Sequence, residues 1–279
     1  MSDLELLASG RDADIYALDD ATVLRRVRDP AHSRTLHEAK VMTYLAERGY
    51  PVPRVYEADE TSMVMERLAG PTLLEDLGRR PWALWANARM LAALHDELAA
   101  IPAPDWLGEP APGEPGRTPG ERTGAGTEAD ADEAGHALGH AHGLEAGERP
   151  GPRRASVLHL DLHPGNVIRT AAGPVVIDWT NCAAGDPAFD LAKTLVTLET
   201  ADLATWPRRR VRDLYVRALR RAARIDPAPR LADALREKLR DPNLSPAEAA
   251  RLRALLARET GETGGETAPD HTAPAHPPV

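Results

Sequence analysis

The sequence predicts an α+β fold of two lobes: a small N-terminal antiparallel β lobe with one helix, and a larger, mostly helical C-terminal lobe. Short apolar runs separated by turn residues fill the first part of the chain, which is typical of strands. Apolar residues spaced three and four positions apart dominate the second part, which is typical of helices. The 279 residues are enough to bury a substantial core.

The composition argues against several classes of protein, including nucleic-acid binders and membrane-spanning proteins. A net charge of −9 and a pI of about 5.6 argue against a nucleic-acid binder, which is normally basic. The single cysteine, Cys182, excludes an internal disulfide and suits a reducing compartment. No apolar stretch is long enough to span a bilayer, and the first residues lack the order of a secretory signal. We therefore expect a cytoplasmic protein without nucleic-acid or membrane partners, and the sequence leaves its oligomeric state open.

The N-terminal lobe, predicted over residues 1–69, contains strand-like runs and one helix. The first runs are LELLA, DIYAL and TVLRRV, separated by SGRDA and by a DD turn. A helix is predicted over residues 31–48, because Gly49 ends it and two prolines follow. A buried strand is predicted over residues 61–68, and Gly70 with the next proline breaks it.

The C-terminal lobe is predicted over residues 70–259. Residues 81–99 suit a buried helix or a close helix pair, on the pattern of Trp82, Trp85, Met90, Leu91, Leu94 and Leu98. Three strand-like runs, VLHL, NVIR and PVVID, come later, and helices follow from GDPAFDLA onward. The last helix should begin at Ser245, an N-cap residue with Glu248 three positions on.

Residues 108–155 interrupt this lobe with a segment rich in glycine and proline. They contain too few large apolar residues to offset the entropy lost on ordering, so we predict a disordered insertion. Residues 260–279 are predicted to be a disordered tail on the same grounds. His136 and His140 would share one face of a helix, and a metal site there is the alternative to a solvated loop.

Polar residues flank a predicted hairpin in the C-terminal lobe. The runs NVIR and PVVID are joined by TAAGP, and the expected register places Asn166 opposite Asp178 at the open end. Amide and carboxylate oxygens are ligands that Mg²⁺ takes, so these two residues form a candidate metal site. Asp161 lies in the turn that enters the hairpin, where a free carboxylate can orient and deprotonate an attacking hydroxyl.

At these residues the chain resembles a known family. HLDLHPGN, residues 159–166, is similar to the catalytic loop of aminoglycoside phosphotransferases and their choline-kinase-like relatives, usually written HGDLHPGN. It is also a variant of the kinase pattern H-R-D-x-x-x-x-N. The run IDW stands where kinases have DFG, and GDPAFDLA follows directly. The resemblance covers residues 157–193 in order and spacing, and it is weak elsewhere.

The resemblance implies a protein-kinase-like fold that uses ATP or GTP with Mg²⁺ to phosphorylate a small-molecule acceptor. Asp161 would be the catalytic base, and Asn166 and Asp178 would hold magnesium. His159 would pack beneath the loop, and Asp190 would brace it from the following helix. Both are also typical of buried, hydrogen-bonded polar groups.

The N-terminal lobe would supply the nucleotide-binding residues. Ser9 and Gly10 lie between two strands, where kinases have a glycine-rich loop, although an ordinary hairpin turn would look the same. Arg25 stands in the kinase lysine position, with Arg26 as the alternative if the register slips by one. Glu38 lies on the apolar face of the predicted helix and needs a partner there, for which Arg25 is the candidate.

Residues Glu66 to Leu68 would form the hinge, whose backbone reads the adenine edge. Two other functions stay open. A nucleotide-binding pseudokinase is favoured by the arginine in the lysine position and by the single glycine of the loop. A metallophosphoesterase is suggested by the spacing of Asp161 and His163, but it would require further ligand clusters downstream. The acceptor itself is not specified by the sequence.

Overall fold

The computed structural model describes residues 4–10, 12–109, 155–201, 203, 205–242 and 244–261. Nearly all of the predicted insertion and tail lie outside these residues, as do His136 and His140. None of the helices in the described ranges is long and apolar enough to cross a membrane.

An antiparallel sheet of five strands forms the N-terminal part, in the order β1-β2-β3-β5-β4. The strands are β1 (Leu6–Ser9), β2 (Ala13–Ala17), β3 (Thr22–Val27), β4 (Val55–Ala58) and β5 (Ser62–Glu66). The short strand β4 was not predicted, because its run VYEA has no alternating apolar pattern. The strand predicted over 61–68 ends earlier, at Glu66.

One helix, α1 (Thr35–Ala46), connects β3 to β4. The prediction of a single helix over 31–48 is wrong at its start, where a separate 3₁₀ turn spans Pro30–His32 and is capped by the Asp29 side chain. The end is as expected, because Gly49 has a left-handed φ of 76° that favours glycine. The apolar face of α1 is buried against the sheet and the helical part.

The C-terminal part is mostly helical, which confirms the predicted α+β class. Its helices are α2 (Leu73–Arg79), α3 (Leu84–Ala99), α4 (Pro187–Thr200), α5 (Trp206–Ala222), α6 (Ala228–Lys238) and α7 (Pro246–Thr260). Its strands are β6 (Ser156–Leu158), β7 (Val167–Thr170), β8 (Gly173–Val176) and β9 (Ala183–Gly185). Strands β7 and β8 form a hairpin, and β6 pairs with the unpredicted β9.

Helix α3 is the central helix of the core and packs against α5. Leu91, Leu94 and Leu98 are buried as the pattern predicts. Trp82 and Trp85 are not, since their exposed fractions are 76% and 51%. A 3₁₀ turn over residues 81–83 precedes the helix, so the apolar spacing that suggested one continuous buried face does not begin until Leu84.

Candidate active site

The β7–β8 hairpin positions the candidate metal residues, and its register differs from the prediction by one residue. Thr170 pairs with Gly173, so the loop contains two residues, and Pro174 belongs to the strand. Asn166 therefore faces Ile177, whose N–H donates to the Asn166 carbonyl over 3.0 Å. The expected pairing of Asn166 with Asp178 is wrong, because Asp178 lies one residue beyond the ladder.

Asp178 turns the chain where the ladder ends. Its φ of 67° is left-handed, a conformation that aspartate tolerates better than most residues. The side chain is exposed, and its Oδ1 accepts a hydrogen bond from the Thr180 hydroxyl over 3.1 Å. The next residue, Trp179, is fully buried with its ring 4.5 Å from the ring of His159.

His159 anchors the predicted catalytic loop from below. Its Nε2 donates to the Ile177 carbonyl over 3.0 Å, and its Nδ1 accepts from the Asp161 N–H over 3.2 Å. Burial lowers the pKa of this imidazole, which agrees with a neutral ring that has one donor and one acceptor. The ring thus links the loop to the strand that leads to Asp178.

Leu160 has a left-handed φ of 64° at the position where the family pattern usually has glycine. Its N–H donates to Asp190 Oδ1 over 2.6 Å, so α4 holds the loop in this conformation. Its side chain packs in a small apolar cluster with Leu158, Ala183 and Phe189. Backbone strain of this kind persists only where surrounding contacts determine it.

Two residues outside the motifs complete the support of the loop. His95 on α3 lies 3.5 Å from Asp190, measured from Nδ1 to Oδ2. Thr194 Oγ1 is 3.1 Å from His95 Nε2 and donates to the Leu162 carbonyl over 2.7 Å. Burial opposes ionisation of Asp190, but hydrogen bonding and charge from His95 hold its pKa below the usual range. His95 falls on the buried face of α3 between Leu91 and Leu98, and that spacing could have identified it.

Asp161 and Asn166 lie at the two ends of the loop. The Asn166 amide donates from Nδ2 to the Asp161 carbonyl over 2.9 Å, which leaves the amide oxygen available as a ligand. The Asp161 side chain is about one-third exposed, and its Oδ1 is 3.9 Å from His163 Nε2. An amide oxygen and the Asp178 carboxylate together are hard oxygen donors that suit Mg²⁺.

The predicted ion pair is present between β3 and α1. Arg25 Nη1 lies 3.1 Å from Glu38 Oε2, and the side chains are 11% and 3% exposed. Glu38 Oε2 has no hydrogen-bond partner, so its contact with Arg25 is electrostatic. Burial raises the pKa of Glu38, and the charge of Arg25 opposes that rise. Arg26 is exposed and lies over Tyr16, so β3 has the register that places Arg25 inward.

A cleft of about 570 Å³ separates the sheet from the helical part. Its lining includes the following predicted residues: Ser9, Gly10, Arg25, Glu38, Glu66, Leu68 and Asp178. Apolar side chains such as Val23 and Met65 form much of the remaining wall. The cleft therefore brings the predicted nucleotide-binding residues and one predicted metal ligand to a single space.

Polar contacts join the two ends of the loop between β1 and β2 to each other and to Arg28, which follows β3. The Ser9 hydroxyl donates to Asp14 Oδ1 over 2.7 Å, and Arg28 contacts both residues. In the predicted hinge, the N–H groups of Glu66 and Arg67 already donate to backbone carbonyls of neighbouring segments.

The fold, a small antiparallel sheet with one helix beside a mostly helical part, is similar to that of solved aminoglycoside phosphotransferases. The chain matches a thermostable mutant of aminoglycoside phosphotransferase APH(4)-Ia with a TM-score of 0.54 and 15% identity, over 95% of this chain and 96% of that one. It matches the streptomycin–ATP–APH(2")-IIa ternary complex with a TM-score of 0.52 and 12% identity, over 92% of each chain. A choline/ethanolamine kinase family protein from Mesorhizobium loti gives a TM-score of 0.52 and 16% identity, over 92% of this chain and 91% of that one.

The sequence also matches the profile of the phosphotransferase enzyme family over residues 3–230. The chain belongs to this family, which confirms the resemblance of the loop motif. Thiamine kinases of Shigella boydii serotype 4 (strain Sb227) and Escherichia coli (strain K12 / DH10B) are 42% identical over 53 residues. That stretch spans only 19% of this chain and 19% of each relative.

Proposed function

We propose that this protein is a Mg²⁺-dependent phosphotransferase that moves the γ-phosphate of ATP or GTP onto a hydroxyl of a small molecule. The observation that carries the proposal is that Arg25, Glu38 and Asp178 line the same cleft, with an ion pair on the sheet side and a carboxylate on the hairpin side. Kinases position nucleotide phosphates and metal with this combination of groups.

In the proposed reaction, Asp161 orients the acceptor hydroxyl and takes its proton. The acceptor oxygen forms a bond to the γ-phosphorus while the bond from that phosphorus to the nucleoside diphosphate oxygen breaks. Asn166 and Asp178 would hold magnesium, which neutralises phosphate charge when bound. His159 and Asp190 fix the loop through the hydrogen bonds described above, so that the Asp161 carboxylate keeps its position.

We further propose residues 1–69 as the nucleotide-binding lobe and residues 70–259 as the catalytic lobe. The proposed nucleotide-binding residues are Ser9, Gly10, Arg25, Glu38, Glu66 and Leu68. Their support is that all six line the cleft. Leu68 lies just beyond the two engaged N–H groups of the hinge, so its backbone is the candidate for contact with the base.

The test is a screen of purified protein for acceptor-dependent release of ADP or GDP. The panel contains thiamine, choline, ethanolamine, homoserine and several aminoglycosides, each with ATP and with GTP. We expect acceptor-dependent turnover with at least one hydroxyl compound, and none with the Asp161→Asn variant. Nucleotide binding without turnover across a broad panel of hydroxyl and amino compounds would contradict the proposal.

A nucleotide-binding pseudokinase is the second candidate. It is favoured by Arg25 in the lysine position and by Ser9, whose hydroxyl is already engaged by Asp14 and Arg28. The same screen separates the two, because a pseudokinase binds nucleotide with little transfer. The metallophosphoesterase gains no support, since the described residues contain no group of three or more His, Cys, Asp or Glu that could hold a metal.

A further inference from the structure

Thr180 lies between the two halves of the candidate site. Its hydroxyl oxygen is 3.4 Å from Arg25 Nη2 and 3.1 Å from Asp178 Oδ1. The second terminal nitrogen of the Arg25 guanidinium, Nη1, faces Glu38. One threonine therefore connects the sheet-side ion pair to the carboxylate that follows the hairpin.

The chemistry of these groups fixes the direction of the contacts. A guanidinium only donates and a carboxylate only accepts, whereas a hydroxyl has one proton and two lone pairs. The Thr180 oxygen accepts the long contact from Arg25. Its one proton is shared between two carboxylate acceptors, Asp178 at 3.1 Å and Glu38, with which Thr180 also hydrogen-bonds. A valine of the same shape could do neither.

We infer that Thr180 is a positioning residue, which orients the Asp178 carboxylate and couples it to the Arg25–Glu38 pair. The inference rests on the proposed function, in which Asp178 is a metal ligand. Asp178 is exposed and has a left-handed backbone, so the Thr180 hydroxyl restricts a side chain that solvent would otherwise leave mobile.

The same contacts explain why an arginine suits the lysine position in this chain. The planar fork of Arg25 presents one nitrogen to Glu38 and another to Thr180. A lysine offers one compact ammonium on a flexible stem and does not hold two such partners in a fixed plane. Arg25 and Thr180 thus act as a matched pair.

The test compares Thr180→Val, which removes the hydroxyl, with Thr180→Ser, which keeps it. The measurement is the Mg²⁺ concentration needed for half-maximal binding of a fluorescent ATP analogue. Hydrogen bonds to charged groups contribute about 1.5–3 kcal/mol, and partial exposure reduces that here, so we expect an increase of about 5–10-fold for Thr180→Val. Thr180→Ser should stay within about twofold of wild type, and both melting temperatures should stay close to wild type.

The Asp178→Ala variant distinguishes a failure of the inferred role of Thr180 from a failure of the proposed metal site. If Asp178→Ala changes the Mg²⁺ dependence while Thr180→Val does not, the role of Thr180 is refuted and the proposed metal site stands. If Asp178→Ala also leaves the dependence unchanged, the metal site is wrong and the role of Thr180 fails with it. As a second measurement, Arg25→Lys should weaken nucleotide binding less in the Thr180→Val background than in wild type, and equal losses would refute the coupling.

Discussion

Replacing Arg25 with alanine tests the ion pair on which the proposed nucleotide-binding site depends. The Glu38 side chain is 3% exposed, so the substitution leaves a buried carboxylate without its charge partner. Breaking a buried pair in this way costs about 3–5 kcal/mol. Domains of 150–250 residues lose about 2–4 °C in melting temperature per kcal/mol, so the low end of the range predicts a loss of about 6–12 °C.

The stability lost in Arg25→Ala should increase as the pH rises. Burial raises the pKa of Glu38 in the folded state, and Arg25 opposes that rise. A carboxyl whose pKa is higher in the folded than in the unfolded protein contributes stability that is fully present below its pKa in the unfolded chain. That contribution is lost as the pH rises through its pKa in the folded protein. Removing Arg25 raises the folded pKa further, so the deficit of Arg25→Ala should grow between about pH 5 and pH 8.

The assay is thermal unfolding of Arg25→Ala, Glu38→Ala and the double variant at both pH values, together with ATP affinity. The double variant should lose less than the sum of the single variants, because the pair is lost only once. Arg26→Ala is the matched control, because Arg26 is the next residue of β3 and its exposed side chain lies on the face opposite to Arg25. Additive single losses, or an equal loss in Arg26→Ala, would refute the ion pair.

Four further outcomes are expected. Asp161→Asn should retain nucleotide affinity and reduce phosphoryl transfer by about 100-fold or more, and comparable turnover would remove it from the role of base. Asp178→Ala should abolish Mg²⁺-dependent nucleotide binding and Asn166→Ala should weaken it less, as a Mg²⁺ titration at fixed nucleotide would show. Burial raises the pKa of Cys182 to about 12, so a thiol reagent at about pH 8 should react only at the rate of unfolding, and rapid labelling of the folded protein would contradict this. Leu160→Gly relieves a left-handed strain of about 1–2 kcal/mol but loses a buried side chain that contributes about 2–5 kcal/mol, so urea unfolding should show net destabilisation.

The loop motif could be placed from sequence because its residues act at short range. Asp161 and Asn166 are joined by a hydrogen bond across one turn. For Arg25 and Glu38, two periodic patterns place the side chains on inward faces, and the resemblance to kinases implies that they pair. The hairpin register could not be read in the same way. It depends on whether Thr170 pairs with Gly173, and the Thr170 hydroxyl bond to the Gly173 carbonyl is a local contact that the apolar pattern does not encode.

Contacts between residues far apart in the sequence could not be predicted for a different reason. Asp190 meets His95 across two packed helices, and Thr180 meets Arg25 across the cleft. Neither pair has a fixed spacing along the chain, because packing of the two parts decides which side chains meet. Strand β9 was missed since its three residues, Ala183 to Gly185, have no apolar alternation and form a strand only by pairing with β6.

Because Trp179 is buried beside the candidate site, its fluorescence can be distinguished from that of the other tryptophans. Trp82, Trp85, Trp106 and Trp206 are the other tryptophans of the chain, and each is at least 38% exposed. Iodide in solution therefore quenches those four and leaves the emission of the one indole that follows Asp178 directly. A change in the remaining emission on addition of Mg²⁺ and nucleotide would then report the proposed binding next to Asp178 in the unlabelled protein.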